Sequence, residues 1–327
     1  MSFYQGKTVL VTGAAGFIGS HLVDRLLSLE AKVIGIDNFI TGNKKNISHL
    51  ESNPNFTFIQ ADVIDSPEMY LQTINDELST INCIFHLASP ASPDGYQKHP
   101  VETYMVNSIG THNLLQWMLA HNPKARFLYT STSEVYGDPL EHPQKESYFG
   151  NVNPNGPRSM YDESKRLGEA ICAVHTRSFA IDTRVVRIFN TYGPRMDLHD
   201  GRVIPDFIKS ILHNAPITLH GDGEQTRSFC YVSDLVSGVL RLMEEDKARG
   251  ETVNIGNPVE ISMRTLANKL LSLTQSHSPL ATVPSREDDP KQRCPDISKA
   301  KELLSWEPLV DLDKGLQETY EYFKTKA

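Results

Sequence analysis

Thr8-Val-Leu-Val-Thr-Gly-Ala-Ala-Gly-Phe-Ile-Gly-Ser20 decides the fold of this chain. Val9, Leu10 and Val11 form an apolar run with no polar alternation, the mark of a strand buried on both faces. Glycines follow at Gly13, Gly16 and Gly19, and from His21 to Leu29 the residues Leu22, Val23, Leu26 and Leu27 repeat at helical spacing. A strand that turns sharply into a helix presents that helix's free N–H groups and positive dipole end, a site suited to phosphate. Gly13 permits the turn, Gly16 lets a pyrophosphate approach the backbone, and Gly19 lets helix and strand pack closely. The stretch predicts dinucleotide binding, with the spacing G-x-x-G-x-x-G in place of the commoner G-x-G-x-x-G.

Working outward, Lys32–Asp37 reads as a second buried strand ending in an acid, 24 residues beyond Gly13. A carboxylate there would accept hydrogen bonds from an adenosine ribose and repel a 2′-phosphate, which favours NAD over NADP. Phe56–Gln60, Asn82–Ala88, Arg126–Ser131 and Thr183–Asn190 supply four more strands, and Asp62 stands in the loop after the third as a candidate partner for the adenine amino group. Between them lies a helix over 100–120, interrupted by Asn107 and Gly110. Strands alternating with helices predict an α/β fold with a doubly wound parallel sheet, a Rossmann domain, whose ligands bind outside the carboxyl ends of the strands. Beyond Asn190 the βα rhythm weakens, and the family resemblance given below implies a smaller α/β C-terminal substrate domain. The division expected is 1–187 for the dinucleotide domain, joined by 226–256, with 188–225 and 257–327 forming the second. His86, inside an apolar run, reads as a satisfied core histidine.

The fifth strand ends in Ser131-Thr-Ser-Glu-Val-Tyr-Gly137, a Pro- and Asn-rich loop follows, and a helix opens at Met160-Tyr-Asp-Glu-Ser-Lys165. Tyr161 and Lys165 share a helix face, and an ammonium beside a phenol lowers the phenol's pKa toward that of a useful base. Tyr320/Lys324 and Tyr322/Lys326 repeat the spacing in the last helix, where they read as solvated surface. Arg195, Arg202, Arg227 and Arg293 lie in or beside loops and together would neutralise a diphosphate.

The 327 residues are 39 % hydrophobic and 22 % charged, enough for one large or two interlocked domains with a full core. A net charge of -8 argues against nucleic acid or an anionic membrane as partner. No apolar run approaches the roughly 20 residues that span a bilayer. Met1–Gly6 leads almost at once into the first strand, so no signal peptide is expected. Cys83, Cys172, Cys230 and Cys294 are scattered without paired spacing, which disfavours a disulfide framework or a zinc site and fits a reducing cytoplasm; no metal is expected.

Thr12–Gly19, the Tyr161/Lys165 pair and Arg187–Asn190 resemble the extended short-chain dehydrogenase/reductase family. Further stretches resemble its members that convert UDP-glucuronate to UDP-xylose: 86–92, 131–139, 153–158, 187–196, 200–203, 225–229 and Glu287–Pro290. The resemblance implies bound NAD, a UDP-sugar substrate and a homodimer formed through the helices near 100–120 and 160–179. It implies that Tyr161 removes the C4 hydroxyl proton, that Lys165 tunes it and holds the nicotinamide ribose, and that Thr132 bonds the C4 oxygen. Ser133 and Glu134 would lie near C5 and its carboxylate, with Arg227 at the nucleotide or the carboxylate. Asn190, Arg195, Arg202, Val203 and Arg293 would line the sugar-nucleotide site. Phe17, Ile18, Asn38, Val63, Leu87, Ala88, Ser89, Asn107 and Ile188 would join the glycines, Asp37 and Asp62 around NAD. Eukaryotic members often carry an N-terminal membrane anchor, and none is expected here. The sister dehydratases resemble Thr-Asp-Glu where this chain has Thr132-Ser133-Glu134, and a serine cannot readily protonate a leaving hydroxide. A 4,6-dehydratase or 4-epimerase of the same fold stays open, as does a silent NAD-binding sensor.

Overall fold

The computed structural model describes residues 2–72, 80–284 and 292–326. The chain runs β1 (Thr8–Thr12), α1 (Phe17–Ser28), β2 (Lys32–Asp37), β3 (Phe56–Gln60), α2 (Pro67–Leu71), β4 (Ile81–His86), α3 (Pro93–Lys98), α4 (Pro100–Met105), α5 (Thr111–His121) and β5 (Arg126–Thr132). It continues through α6 (Ser159–Phe179), β6 (Asp182–Ile188), β7 (Thr191–Tyr192), α7 (Val203–Leu212), β8 (Ile217–His220), β9 (Thr226–Ser228), β10 (Cys230–Tyr231) and α8 (Val232–Glu244). Last come β11 (Thr252–Ile255), β12 (Glu260–Ser262), α9 (Met263–Thr274), β13 (Leu280–Val283), α10 (Ser298–Leu304) and α11 (Leu312–Lys324).

Seven strands form one parallel sheet in the order β11-β6-β5-β4-β1-β2-β3, the doubly wound arrangement expected. All five residues of β1 are buried, so its lack of polar alternation follows from helices covering both faces. The order reverses beside β1, where β4 lies on one side and β2 on the other; ligands of such sheets bind at this switch point. β11, distant in sequence, extends the sheet beyond β6.

α7, β8, α9 and α11 pack together and line the space beyond the carboxyl ends of the strands, while α8 and α10 pack against the sheet beside β6 and β11. α7, amphipathic through buried Ile204, Phe207, Ile208 and Ile211, packs against β8 and α9, and α11 packs against α9. β13 lies parallel to β8, and β12 runs antiparallel to β9. The helix expected over 100–120 is α4 and α5 joined by a π-turn, Val106–Gly110, centred on the residues that interrupt its pattern. Ahead of α7, Asp200 accepts the Arg202 N–H in a local turn. Tyr320 and Tyr322 correct the surface reading: both pack partly buried against the core, with their lysines 5.8 and 5.9 Å from the ring centroids. Long aromatic stems bury along a helix whose lysine tips still reach water. All four cysteines are buried and free. Among the described residues no helix is long and apolar enough to cross a membrane. The Glu287–Pro290 motif lies outside the described residues.

Candidate active site

A cleft of about 1620 Å³ opens over the carboxyl ends of β1, β4, β5 and β6. At its floor the turn after β1 has no room for side chains. Gly13 takes φ +70°, and a Cβ there would stand 2.9 Å from the Ala88 nitrogen. A Cβ on Gly19 would fall 2.0 Å from the Gly13 carbonyl oxygen. α1 begins at Gly16 without a side-chain cap, leaving its first N–H groups facing the cleft for an anion. These residues fit a pyrophosphate, and Phe17 and Ile18 line the same wall.

A side lobe holds Asp37, Asn38, Asp62, Val63, Leu87, Ala88 and Ser89. The buried Asp37 carboxylate accepts the N–H of Ala15 at 2.9 Å and of Phe39 at 2.8 Å, so it organises the turn as well as facing the lobe. Burial raises its pKa and those two donors lower it, with a net rise. Asp62 accepts the Asn38 amide at 2.8 Å and the Ile64 N–H at 3.0 Å. Asn107 is not on the cleft wall: the π-turn points its amide at the Ser164 hydroxyl, 3.1 Å away. His86 is only partly the satisfied core histidine expected. Its Nδ1 lies 2.8 Å from the Thr12 hydroxyl, the Val106 backbone gives the ring a weaker second contact, and burial, with a smaller push from Lys165, depresses its pKa to about 3.

Thr132, Ser133, Glu134, Tyr161 and Lys165 come together on one wall. β5 ends at Thr132, whose hydroxyl accepts the Glu134 N–H at 3.2 Å and bonds the Tyr161 phenol. Lys165 does not lower the phenol as the spacing suggests. Burial dominates and pushes Tyr161 up, the Thr132 bond being the largest opposing influence. The Lys165 ammonium instead donates to the Thr130 carbonyl at 2.7 Å, and burial brings its pKa down to about 7 against a smaller upward pull from Glu169. Between about 7 and its ordinary 10.5 the unfolded chain therefore holds more protons than the folded one, so stability rises with pH in that window. Nucleotide-free protein is expected to melt higher near pH 9 than near pH 7, and Lys165→Met should flatten that rise in thermal scans. An unchanged slope in the variant would mean that another group sets it.

Glu134 sits between two guanidiniums, in contact with Arg293 and 2.5 Å from Arg158. Burial raises its pKa, but Arg293 and Arg158, with a smaller contribution from Arg227, bring it down to about 2. Asp162, behind this cluster, is raised to about 7 by burial first and by Glu134 next.

All four loop arginines reach the cleft. Arg195 is tied to Asp24 at 2.7 Å, with its Nη1 buried and without a partner among the described residues. Arg202 is held by Asp200 through Nε at 2.7 Å and lies over the Phe17 ring. Asn190, Val203 and Ile188 line the same space. Two cleft residues carry no site role in the sequence reading. Tyr96, from α3, stacks on Tyr161 with ring centroids 5.0 Å apart and planes 13° apart. Arg158, placed just before α6, pairs with Glu134. An arginine immediately ahead of the Tyr161 helix is the available signal for the second; the stack has none, because two helices distant in sequence create it.

Comparison with known proteins agrees with this geometry. A family model described as GDP-mannose 4,6 dehydratase matches residues 10–319. UDP-glucuronic acid decarboxylase 2 of Arabidopsis thaliana is 50 % identical over 315 residues, covering 95 % of this chain and 67 % of the relative. UDP-glucuronic acid decarboxylase 1 of Danio rerio is 46 % identical over 97 % of this chain and 72 % of its own length. The solved structure of UDP-glucuronic acid 4-epimerase from Bacillus cereus, in complex with UDP-glucuronic acid and NAD, superposes with a TM-score of 0.87 at 32 % identity, covering 98 % of this chain and all of that one. The chain therefore belongs to the extended short-chain dehydrogenase/reductase family, within the group matched by the GDP-mannose 4,6 dehydratase model and alongside the UDP-glucuronic acid decarboxylases.

Proposed function

We propose that this protein is an NAD-dependent decarboxylase that converts UDP-glucuronate to UDP-xylose. The observation that carries the reading is the wall around Glu134: Thr132 and Tyr161 adjoin it, Ser133 stands where an acid would be needed to expel a hydroxyl, and three guanidiniums surround the carboxylate. Three positive charges around one negative favour a substrate that brings a carboxylate of its own.

The glycine turn and α1 would hold the NAD pyrophosphate, Asp37 the adenosine ribose, Asp62 the adenine and Lys165 the nicotinamide ribose. Bound NAD supplies the acceptor for the C4 hydride and returns it at the end of the cycle. Tyr161 takes the C4 hydroxyl proton, and Thr132 holds the same oxygen. The ketone so formed lies β to the C6 carboxylate, so CO2 leaves as its bonding electrons pass into an enolate at C4. Arg293 and Arg227 steer the carboxylate, a proton taken up from solvent bonds to C5, and the proton held by Tyr161 goes back to the C4 oxygen as the C4–H bond re-forms. Arg195 and Arg202, with Asn190 and Val203, would bind the diphosphate and uridine.

We assign residues 1–187 and 226–256 to the dinucleotide-binding part and 188–225 with 257–327 to the sugar-nucleotide part; the strands of the seven-stranded sheet fall in the first set save Ile188 at the end of β6, which supports the division. Exposed Val101, Tyr104 and Ile109 on α4 and the π-turn, with Leu167 and Val174 on the adjoining α6, support a homodimer through these helices, and light scattering should read two chains. Four separate buried thiols support a cytoplasmic setting, which cell fractionation checks.

Asp37→Ala is expected to weaken NAD by about tenfold or more, from the loss of a charge-assisted hydrogen bond, and to change the weaker NADP binding far less. Equal losses in titrations of both would remove Asp37 from cofactor choice. The function itself is tested by offering UDP-glucuronate, UDP-galacturonate and UDP-glucose separately and trapping CO2. Release from UDP-glucuronate supports the reading; interconversion of the two uronates without CO2 would make the protein a 4-epimerase.

A further inference from the structure

Apart from its ion pair with Glu134, the Arg293 side chain has little to hold it in place. Its Nη1 contacts Glu134, its Nη2 reaches the Gly137 carbonyl only at 3.5 Å, and its Nε is buried with no partner among the described residues. It lies on residues 292–297, which form no helix or strand beyond a single bridge at Pro295. The direction of its guanidinium is therefore set by Glu134 at the tip and by whatever fixes that backbone at the base, and the backbone is held from outside.

The outside partner is Gln144, fully buried in the loop between β5 and α6. Its backbone N–H donates to the Cys294 carbonyl at 2.9 Å, and the Cys294 N–H donates back to Gln144 Oε1 at 2.9 Å. The Asp296 N–H donates to the Gln144 carbonyl at 2.9 Å. The Gln144 amide group donates to the Glu141 carbonyl at 2.9 Å, which fixes the rotamer that offers Oε1 to Cys294. Asn254 closes the joint by donating to the carbonyls of Gln144 at 3.0 Å and Asp296 at 3.3 Å. The residue next to Arg293 is thus gripped on both its N–H and its carbonyl by one side chain and its own backbone. Leaving a buried N–H unpaired is unfavourable enough to shift a segment that has no ladder of its own.

We propose that Gln144 is a positioning residue: it fixes the backbone at Cys294 so that the Arg293 guanidinium meets Glu134 at the reacting carboxylate. The inference rests on the decarboxylase reading for the role of Arg293 and on the hydrogen bonds alone for the grip. Gln144→Met keeps the length and removes the amide. Displacing a catalytic group by about 1 Å costs on the order of 10²-fold, so kcat on UDP-glucuronate should fall about 10- to 100-fold with NAD affinity unchanged. Hydrogen exchange should quicken in the peptide spanning 293–297. Because Gln144 acts through Arg293, the double variant Gln144→Met/Arg293→Ala should be within about twofold of Arg293→Ala alone. Losses that multiply in the double variant, a kcat within about twofold of wild type in Gln144→Met, or a matching loss of NAD affinity would each overturn the proposal. If Gln144→Met does not fold, Gln144→Asn, one methylene short, carries the same comparisons. Should the wild type release no CO2 from UDP-glucuronate, the decarboxylase reading falls, and exchange at 293–297 decides the grip: unchanged exchange overturns it.

Discussion

Tyr161→Phe is expected to lower kcat by about 10²- to 10⁴-fold, the usual consequence of deleting a general base, while the protein folds and retains NAD. The ring should stay where it is, because Tyr96 stacks on it at 5.0 Å and the residue is buried. Thr132 loses one partner but keeps the Glu134 N–H at 3.2 Å, so the end of β5 should not rearrange. The deficit belongs in kcat because only the transferred proton is lost. Burial pushes the phenol up, and the Thr132 bond is the largest influence opposing it. Tyr320→Phe and Tyr322→Phe, whose lysines lie at the same sequence spacing, should leave steady-state rates unchanged. Near-wild-type turnover in Tyr161→Phe would remove it from the chemistry.

Glu134→Gln should be the more damaging change to the protein as a whole. Arg293 is almost wholly buried and Arg158 largely so, and both lose their counter-charge. Breaking a buried ion pair from one side costs about 3 kcal/mol or more, to be read in denaturant unfolding. The native pKa of Glu134 is about 2, below its ordinary 4.5. Its contribution is therefore present above about 4.5 and lost as pH falls toward 2, so the variant should show a shallower acid decline than wild type. Turnover should fall by about 10²-fold or more, since the guanidiniums would no longer be aimed. A variant as stable as wild type, with the same acid limb, would mean that the cluster is solvated in solution.

How much of this was legible in the sequence depended on distance along the chain. The glycine turn, Asp37 at the end of β2, the Thr132–Glu134 strand end and the Tyr161/Lys165 pair are local patterns, and a parallel sheet carries strand ends to one rim by construction. The partners of those residues are not local. Arg158 and Gln144 act from the irregular loop between β5 and α6, and Tyr96 from a six-residue helix that no periodicity announces. The charge pattern suggested four free arginines for a diphosphate, yet Asp24 and Asp200 already hold Arg195 and Arg202. Asn107 reads as a cofactor contact until the π-turn directs it to Ser164. Tyr161 and Lys165 line the same wall, but burial sets the pKa of each, and burial depends on what covers a residue.

The most direct test follows UDP-glucuronate by proton NMR with simultaneous NADH absorbance. The account predicts stoichiometric CO2, accumulation of UDP-xylose and no lasting NADH, because the hydride taken from C4 returns to the same sugar. A UDP-4-keto-pentose with stoichiometric NADH, or UDP-galacturonate without CO2, would contradict it.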